Sequence, residues 1–278
     1  MTQKVRCGLC PRHCNLAEGA IGVCKGRGNQ NGQIRDLNYG CITSVALDPI
    51  EKKPLYHFYP GSYILSVGSF GCNLKCPFCQ NHSISMADKS CEYQKVTPEE
   101  LVALAIDLKN KEQGNLGIAF TYNEPLISYE FVLDTSIELK KHNLKSVLVT
   151  NGGICSDYLE KLLPYVDAMN IDLKGFSQQF YDYVKGDFET VKENIRLAHS
   201  QCHVEVTTLI IPTKNDSEED MHSEAEFLYS ISPDIPLHIS RFFPRYKEQE
   251  LYPTPIETID RLCSIASEYL KFVHRGNC

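Results

Sequence analysis

The residues best suited to chemistry are three cysteines in one short loop, Gly71-Cys72-Asn73-Leu74-Lys75-Cys76-Pro77-Phe78-Cys79, with the spacing C-x3-C-x2-C. Three thiolates this close can ligate three irons of a [4Fe–4S] cube and leave the fourth iron open to a substrate or cofactor. An electron-transfer ferredoxin would want a fourth cysteine nearby. The alternatives are three ligands of a zinc site or three unrelated buried thiols. A second group, Cys7, Cys10, Cys14 and Cys24, crowds the first 24 residues. Residues 1–32 are rich in Gly, Cys and Asn and have little apolar periodicity, so something other than a core must order them. Thiolate coordination of zinc or iron would do so and would drive their folding, with His13 able to replace one cysteine. A second iron–sulfur cluster is the alternative; zinc is preferred because nothing in this head suggests a redox role.

These groups need elements to position them. Residues 33–61 alternate short apolar pieces with Gly40, Pro49, Pro54 and Pro60 and read as hairpins and turns. From residue 62 strands alternate with helices. The β-rich runs are Tyr63–Phe70, Leu116–Tyr122, Ser146–Thr150, Val166–Asp172, Val204–Ile211 and Leu237–Phe242. Thr97-Pro98-Glu99-Glu100 has the form of a capping box opening a helix. Thr254-Pro255-Ile256-Glu257 repeats it, and Ser217 caps a third helix. Six strands with helical connections predict an α/β fold with parallel strands and right-handed crossovers. The expected architecture is a partial, TIM-like (β/α)6 barrel over residues 62–278, preceded by a cysteine-rich metal-binding segment over 1–61. In such barrels the chemistry sits at the C-terminal ends of the strands, and the three-cysteine loop follows the first of them.

The chain has 278 residues and 13 cysteines, an odd number that a fully disulfide-paired monomer cannot accommodate. Its net charge of −7 argues against coating nucleic acid. No apolar run approaches the ~20 residues of a bilayer span, and no signal-peptide stretch opens the sequence, so a cytoplasmic protein without membrane contact is expected.

The cysteine loop, with the aromatic Phe78 before its last cysteine, resembles the signature of the radical SAM superfamily. That resemblance implies a [4Fe–4S] cluster on Cys72, Cys76 and Cys79. S-adenosylmethionine (SAM) would chelate the open iron, and one-electron cleavage would yield a 5′-deoxyadenosyl radical that abstracts hydrogen. Other strand ends fit the same pattern. Tyr122-Asn123-Glu124-Pro125 stands where the superfamily has a Gly-Gly-Glu-Pro-like turn for the SAM amino group, which points to Asn123 and Glu124. Thr150-Asn151-Gly152 resembles the Thr-Asn-Gly of glycyl-radical-enzyme activases, although Val149 replaces their aspartate. Asp172-Leu173-Lys174 matches their Asp-Leu-Lys, which implies Lys174 near the SAM carboxylate and Asp172 near the ribose or a monovalent cation. Thr207 occupies the position of an activase arginine that holds the carboxylate. On the sixth strand His238 and Arg241 are expected to reach the same rim.

A closer resemblance covers nearly the whole chain. Cys7-Gly8-Leu9-Cys10-Pro11-Arg12-His13-Cys14, the stretch from Asp48 to Phe58, and Cys79-Gln80-Asn81 are similar to the radical SAM component of the AmmeMemoRadiSam system, a family related to pyruvate formate-lyase activating enzymes. The implied function is a radical SAM oxidoreductase, activase-like and acting on a protein, with an electron donor such as flavodoxin or ferredoxin. The rivals are a radical SAM enzyme modifying a small molecule and a non-catalytic iron–sulfur or zinc module.

Overall fold

The structure, a computed structural model, describes residues 4–278, so the first three residues of the cysteine-rich segment lie outside the described residues. Eight strands form its main sheet: β1 (Ser44–Pro49), β2 (Tyr63–Gly68), β3 (Gly117–Phe120), β4 (Lys145–Thr150), β5 (Ala168–Asp172), β6 (His203–Ile210), β7 (Leu237–Arg241) and β8 (Val273–Gly276). They are hydrogen-bonded in chain order, β2 through β8 parallel and β1 antiparallel to β2. All six expected runs are strands. The seventh parallel strand, β8, adds a further edge that its short, polar sequence did not signal. Because β1 is paired with β2, the sheet runs across residues 61 and 62.

The crossovers carry helices α1 (Pro98–Lys109), α2 (Tyr129–Lys141), α3 (Ser156–Leu162), α4 (Gln178–Val184), α5 (Phe188–His199), α6 (Glu218–Ile231) and α7 (Ile256–Ala266). Helix α1 begins at the expected capping box: Thr97 Oγ1 accepts from the Glu100 N–H at 3.2 Å, and Glu100 accepts from the Thr97 N–H at 2.8 Å. Ser217 caps α6 through the Asp220 N–H at 3.1 Å. Thr254 does not cap α7. Its buried hydroxyl accepts from the Phe242 N–H at 3.1 Å and donates to the Ile210 carbonyl at 2.6 Å, and the helix starts two residues later.

The helices pack their apolar stripes against the outer face of the sheet, which makes the larger core. A second, smaller core lies inside the partial barrel: Ile50, Leu55 and Phe58 from the segment after β1 pack on Ile64, Ala119, Val147 and Ala168 of β2 to β5. This segment plugs the barrel floor. Buried Glu205 on β6 accepts from the Tyr56 and His57 N–H groups at 3.0 and 2.8 Å, and Asn170 on β5 donates to the Pro54 carbonyl at 2.8 Å. The floor is closed by the chain itself, which leaves the C-terminal mouth as the place for a ligand. Among the described residues no helix is long and apolar enough to cross a membrane.

Candidate active site

At that mouth lies a cavity of about 790 Å³ whose lining includes Cys72, Cys76, Cys79, Glu124, Asp172 and Lys174. The cysteine loop leaves β2 and is fixed from two sides. Asn123, after β3, accepts from the Ser69 N–H at 2.9 Å and donates to the Gly71 carbonyl at 3.1 Å. Asn73 donates to the Gly153 carbonyl at 2.7 Å and accepts from Asn151 at 2.9 Å. The sulfurs are in turn approached by donors: the Leu74 N–H stands 3.3 Å from Cys72 Sγ, Asn151 Nδ2 3.7 Å from the same sulfur, and Ser85 Oγ 3.0 Å from Cys79 Sγ. All three cysteines are free thiols. Three sulfurs on one cavity wall, with hydrogen bonds from N–H and O–H groups, suit a [4Fe–4S] cluster, whose sulfur ligands are stabilised by such donors.

Burial dominates the electrostatics. It pushes Cys76 up to about 12 and raises Cys72 well above the ordinary thiol range, so both are protonated until a metal displaces the proton. Glu124 is raised to about 7 by burial, against hydrogen bonds from Thr150 Oγ1 at 2.6 Å and the Asn151 and Leu126 N–H groups at 2.8 and 3.0 Å. Lys174 behaves oppositely. Burial alone would lower it, but the Asp172 carboxylate 2.8 Å from its Nζ holds it above the ordinary lysine value. It is therefore a fixed cation on the cavity wall.

The structure brings most of the sequence-predicted residues together. Phe78, Asn123, Glu124, Asn151, Asp172, Lys174, Thr207 and His238 line the cavity with the three cysteines. Thr150 stands behind them, donating to Glu124. Several roles change. The side chains of Asn123 and Glu124 are consumed in holding the loops, so they shape the site. Thr207 donates to Asn170 at 3.0 Å. His238 gives its Nε2 to Glu205 at 2.6 Å and belongs to the floor. Arg241 does not line this cavity but borders an adjoining cleft that shares Phe78, Gln80, Leu209 and Asn277 with it. It lies three residues from His238 on β7, so strand alternation turns it to the opposite face, where Nε donates to the Thr254 carbonyl at 2.6 Å.

Sequence reasoning assigned no role to Asp48, Lys53 and Tyr122. Buried Lys53 and the Tyr122 hydroxyl both bond Asp48 Oδ2, at 3.0 and 2.9 Å, on the cavity wall beside the turn after β3. Tyr122 has φ of 71°, a left-handed conformation that costs a bulky residue about 1–2 kcal/mol. It holds a left-handed backbone of the kind glycine adopts readily, and adds a phenol. The only signal in the sequence was a tyrosine at a position where a glycine was expected.

In the head, Cys7, Cys10, Cys14 and Cys24 surround an enclosed cleft together with Arg27 and Ile127. A methyl group on Gly22 would stand 3.7 Å from Cys24 Sγ and 3.9 Å from Cys14 Sγ. Among the described residues no three His, Cys, Asp or Glu side chains are gathered as one bare ion requires. That applies equally to Cys72, Cys76 and Cys79 and to the head.

A partial barrel of parallel strands carrying a three-cysteine loop after its first parallel strand defines the class. The family model described as Radical SAM superfamily matches residues 66–228. The chain belongs to that superfamily. It is 43% identical over 278 residues to the uncharacterized protein MJ0808 of Methanocaldococcus jannaschii, covering 99% of this chain and 81% of that protein. It is 27% identical over 170 residues to the pyruvate formate-lyase-activating enzyme of Clostridium pasteurianum, covering 58% of this chain and 67% of the relative. Among solved structures, Streptococcus suis SuiB bound to S-adenosylmethionine superposes with a TM-score of 0.60 at 13% identity, over 77% of this chain and 52% of SuiB. A second SuiB structure, bound to its precursor peptide SuiA, superposes with a TM-score of 0.57 at 15% identity, over 76% of this chain and 47% of SuiB.

Proposed function

We propose that this radical SAM enzyme binds a [4Fe–4S] cluster through Cys72, Cys76 and Cys79 and acts on a protein substrate in the manner of an activase. Bound at the barrel mouth, the cluster and SAM supply one-electron cleavage of the sulfonium and hydrogen-atom abstraction from an unactivated C–H bond. The chain's own residues then have separable tasks. Lys174 offers the carboxylate of SAM its cation, and Asp172 both holds Lys174 in place and offers acceptors to the ribose or a monovalent cation. Asn151, fixed by Glu124 and Asn73, sets the wall beside Cys72. Leu74, Phe78, Met86, Val149 and Leu209 are the apolar part of the lining and exclude water from a reactive radical.

The observation that carries this reading is the convergence of the three thiols and the Asp172–Lys174 pair on one cavity, at the strand ends where the superfamily keeps its chemistry. The protein substrate is supported by the activase relative and by the peptide-bound neighbour. The electron donor is of the flavodoxin or ferredoxin class. The test is anaerobic: reduced, reconstituted enzyme is incubated with SAM and, in separate reactions, a deuterium-labelled small-molecule fraction or a deuterium-labelled protein fraction, and 5′-deoxyadenosine from the protein reaction is compared with that from the other by mass spectrometry. Deuterium in the nucleoside is the expected result. Deuterium transferred only from the labelled small-molecule fraction would reject the activase-like reading and leave the superfamily assignment standing.

A further inference from the structure

The head cysteines are not remote from the barrel. The Cys72 N–H donates to the Cys24 carbonyl at 3.1 Å, so the fourth head cysteine and the first barrel cysteine are joined by a backbone hydrogen bond. Gly71 is the residue that permits this: at φ +88°, a Cβ there would lie 2.4 Å from the Cys24 carbonyl oxygen. Arg12, inside the C-x2-C-x3-C run, donates Nε to the Asn73 carbonyl at 2.6 Å and a second N–H to the Lys185 carbonyl. The cleft itself holds a buried donor without a partner. Arg27 is only 5% exposed and lines it; its Nη groups pair with Glu130, while its buried Nε–H has no partner. His13 Nδ1 is a second buried polar atom in the head without a partner.

We propose that Cys7, Cys10, Cys14 and Cys24 hold a second iron–sulfur cluster, and that it passes electrons to the barrel cluster across the Cys24–Cys72 contact. A guanidinium N–H unpaired beside four cysteines suits an anionic thiolate-ligated cluster, which accepts hydrogen bonds at its sulfurs. A zinc tetrahedron, with Zn–S of about 2.3 Å, would gather the sulfurs to within about 3.8 Å of each other. The head thiols line one cleft but are not gathered as a single bare ion requires, and the same is true of the barrel thiols. Zinc was preferred from sequence because the head offered no redox role; contact with a centre that must receive an electron in each cycle supplies one. The step balances simply. A low-potential one-electron donor reduces the head cluster by one electron, and that electron moves to the barrel cluster, returning the head to its oxidised state. The relay rests on the proposed barrel cluster; the head cluster does not.

Two variants of the full chain separate these ideas. After anaerobic reconstitution with iron and sulfide, C72A/C76A/C79A is expected to keep about half of the wild-type iron and sulfide and a reduced-state electron paramagnetic resonance signal that SAM does not alter. Should that variant fail to fold, C10A/C24A gives the same answer from the other side: about half of the iron is lost, and the remaining signal still responds to SAM. The C10A/C24A variant should also slow reduction of the barrel cluster by photoreduced flavodoxin at least tenfold in stopped-flow absorbance. Zinc in place of iron at the head, no metal there, or an unchanged total iron count in C10A/C24A would overturn the second cluster. An unchanged reduction rate would overturn the relay. A remaining signal that ignores SAM would instead count against the barrel assignment.

Discussion

Residue identity accounts for the chemistry most directly at Asp172 and Lys174. Two positions apart at the end of β5, they face the same cavity and form an ion pair that is only partly exposed. A charge-assisted hydrogen bond to a ligand contributes about 1.5–3 kcal/mol. Replacing both residues by alanine should therefore weaken SAM binding by roughly 10- to 150-fold in calorimetry of the reconstituted protein. Unchanged affinity would show that they are a wall pair with no contact to the ligand. The three cluster cysteines were legible because ligand spacing is a local property of sequence. Asp48, Lys53 and Tyr122 were not. Tyr122 is 74 residues from Asp48 in the chain, and the two meet only after β1 pairs with β2. Arg241 stands beside the cavity and not on its wall for a similarly geometric reason, since an odd spacing on a strand reverses the face.

Among elements, the strongly patterned ones followed the sequence. The capping box at Thr97 and the cap at Ser217 set helix starts by local hydrogen bonds, which a reader of residues can count. Thr254 shows the limit: the same Thr-Pro signal lost to two tertiary hydrogen bonds that hold β7 against β6. The floor plug was equally hidden, because Ile50, Leu55 and Phe58 have no periodicity of their own and gain their role from the barrel that receives them. Its attachment makes a pH-dependent prediction. Although burial opposes ionisation, hydrogen bonds from His203, His238 and two backbone N–H groups hold the Glu205 carboxyl at about 2, below its ordinary value of 4.5. A depressed carboxyl stabilises the fold above its ordinary value and loses that contribution as pH falls from about 4.5 through 2. Breaking one partner of a buried network costs about 3 kcal/mol. Glu205→Gln should lower stability by that order at pH 7 in urea unfolding of the metal-free protein, with a gap to wild type that narrows below pH 4. A constant gap across that range would mean that Glu205 is not ionised in the folded state.

The whole molecule is a partial barrel closed at the floor by its own chain and open at the mouth, with a cysteine-rich head hydrogen-bonded to the loop at that mouth. Because Gly71, Asn73 and Asn123 tie the head, the loop and the turn after β3 together, the site is assembled from segments that reach from Cys24 to Lys174. The fold class was readable from strand–helix alternation; the antiparallel β1, the last strand β8 and the seating of the head were not, since each depends on a long-range pairing with little local pattern. The central claim is that this architecture presents a SAM-cleaving cluster on Cys72, Cys76 and Cys79. The measurement that tests it most directly is anaerobic chromatography of 5′-deoxyadenosine formed from SAM by the dithionite-reduced, reconstituted protein, beside its C76A variant. The account predicts time-dependent nucleoside from the wild-type chain and none above background from C76A. Equal amounts from both proteins, or none from either when the wild-type chain carries a full complement of reduced cluster, would contradict it.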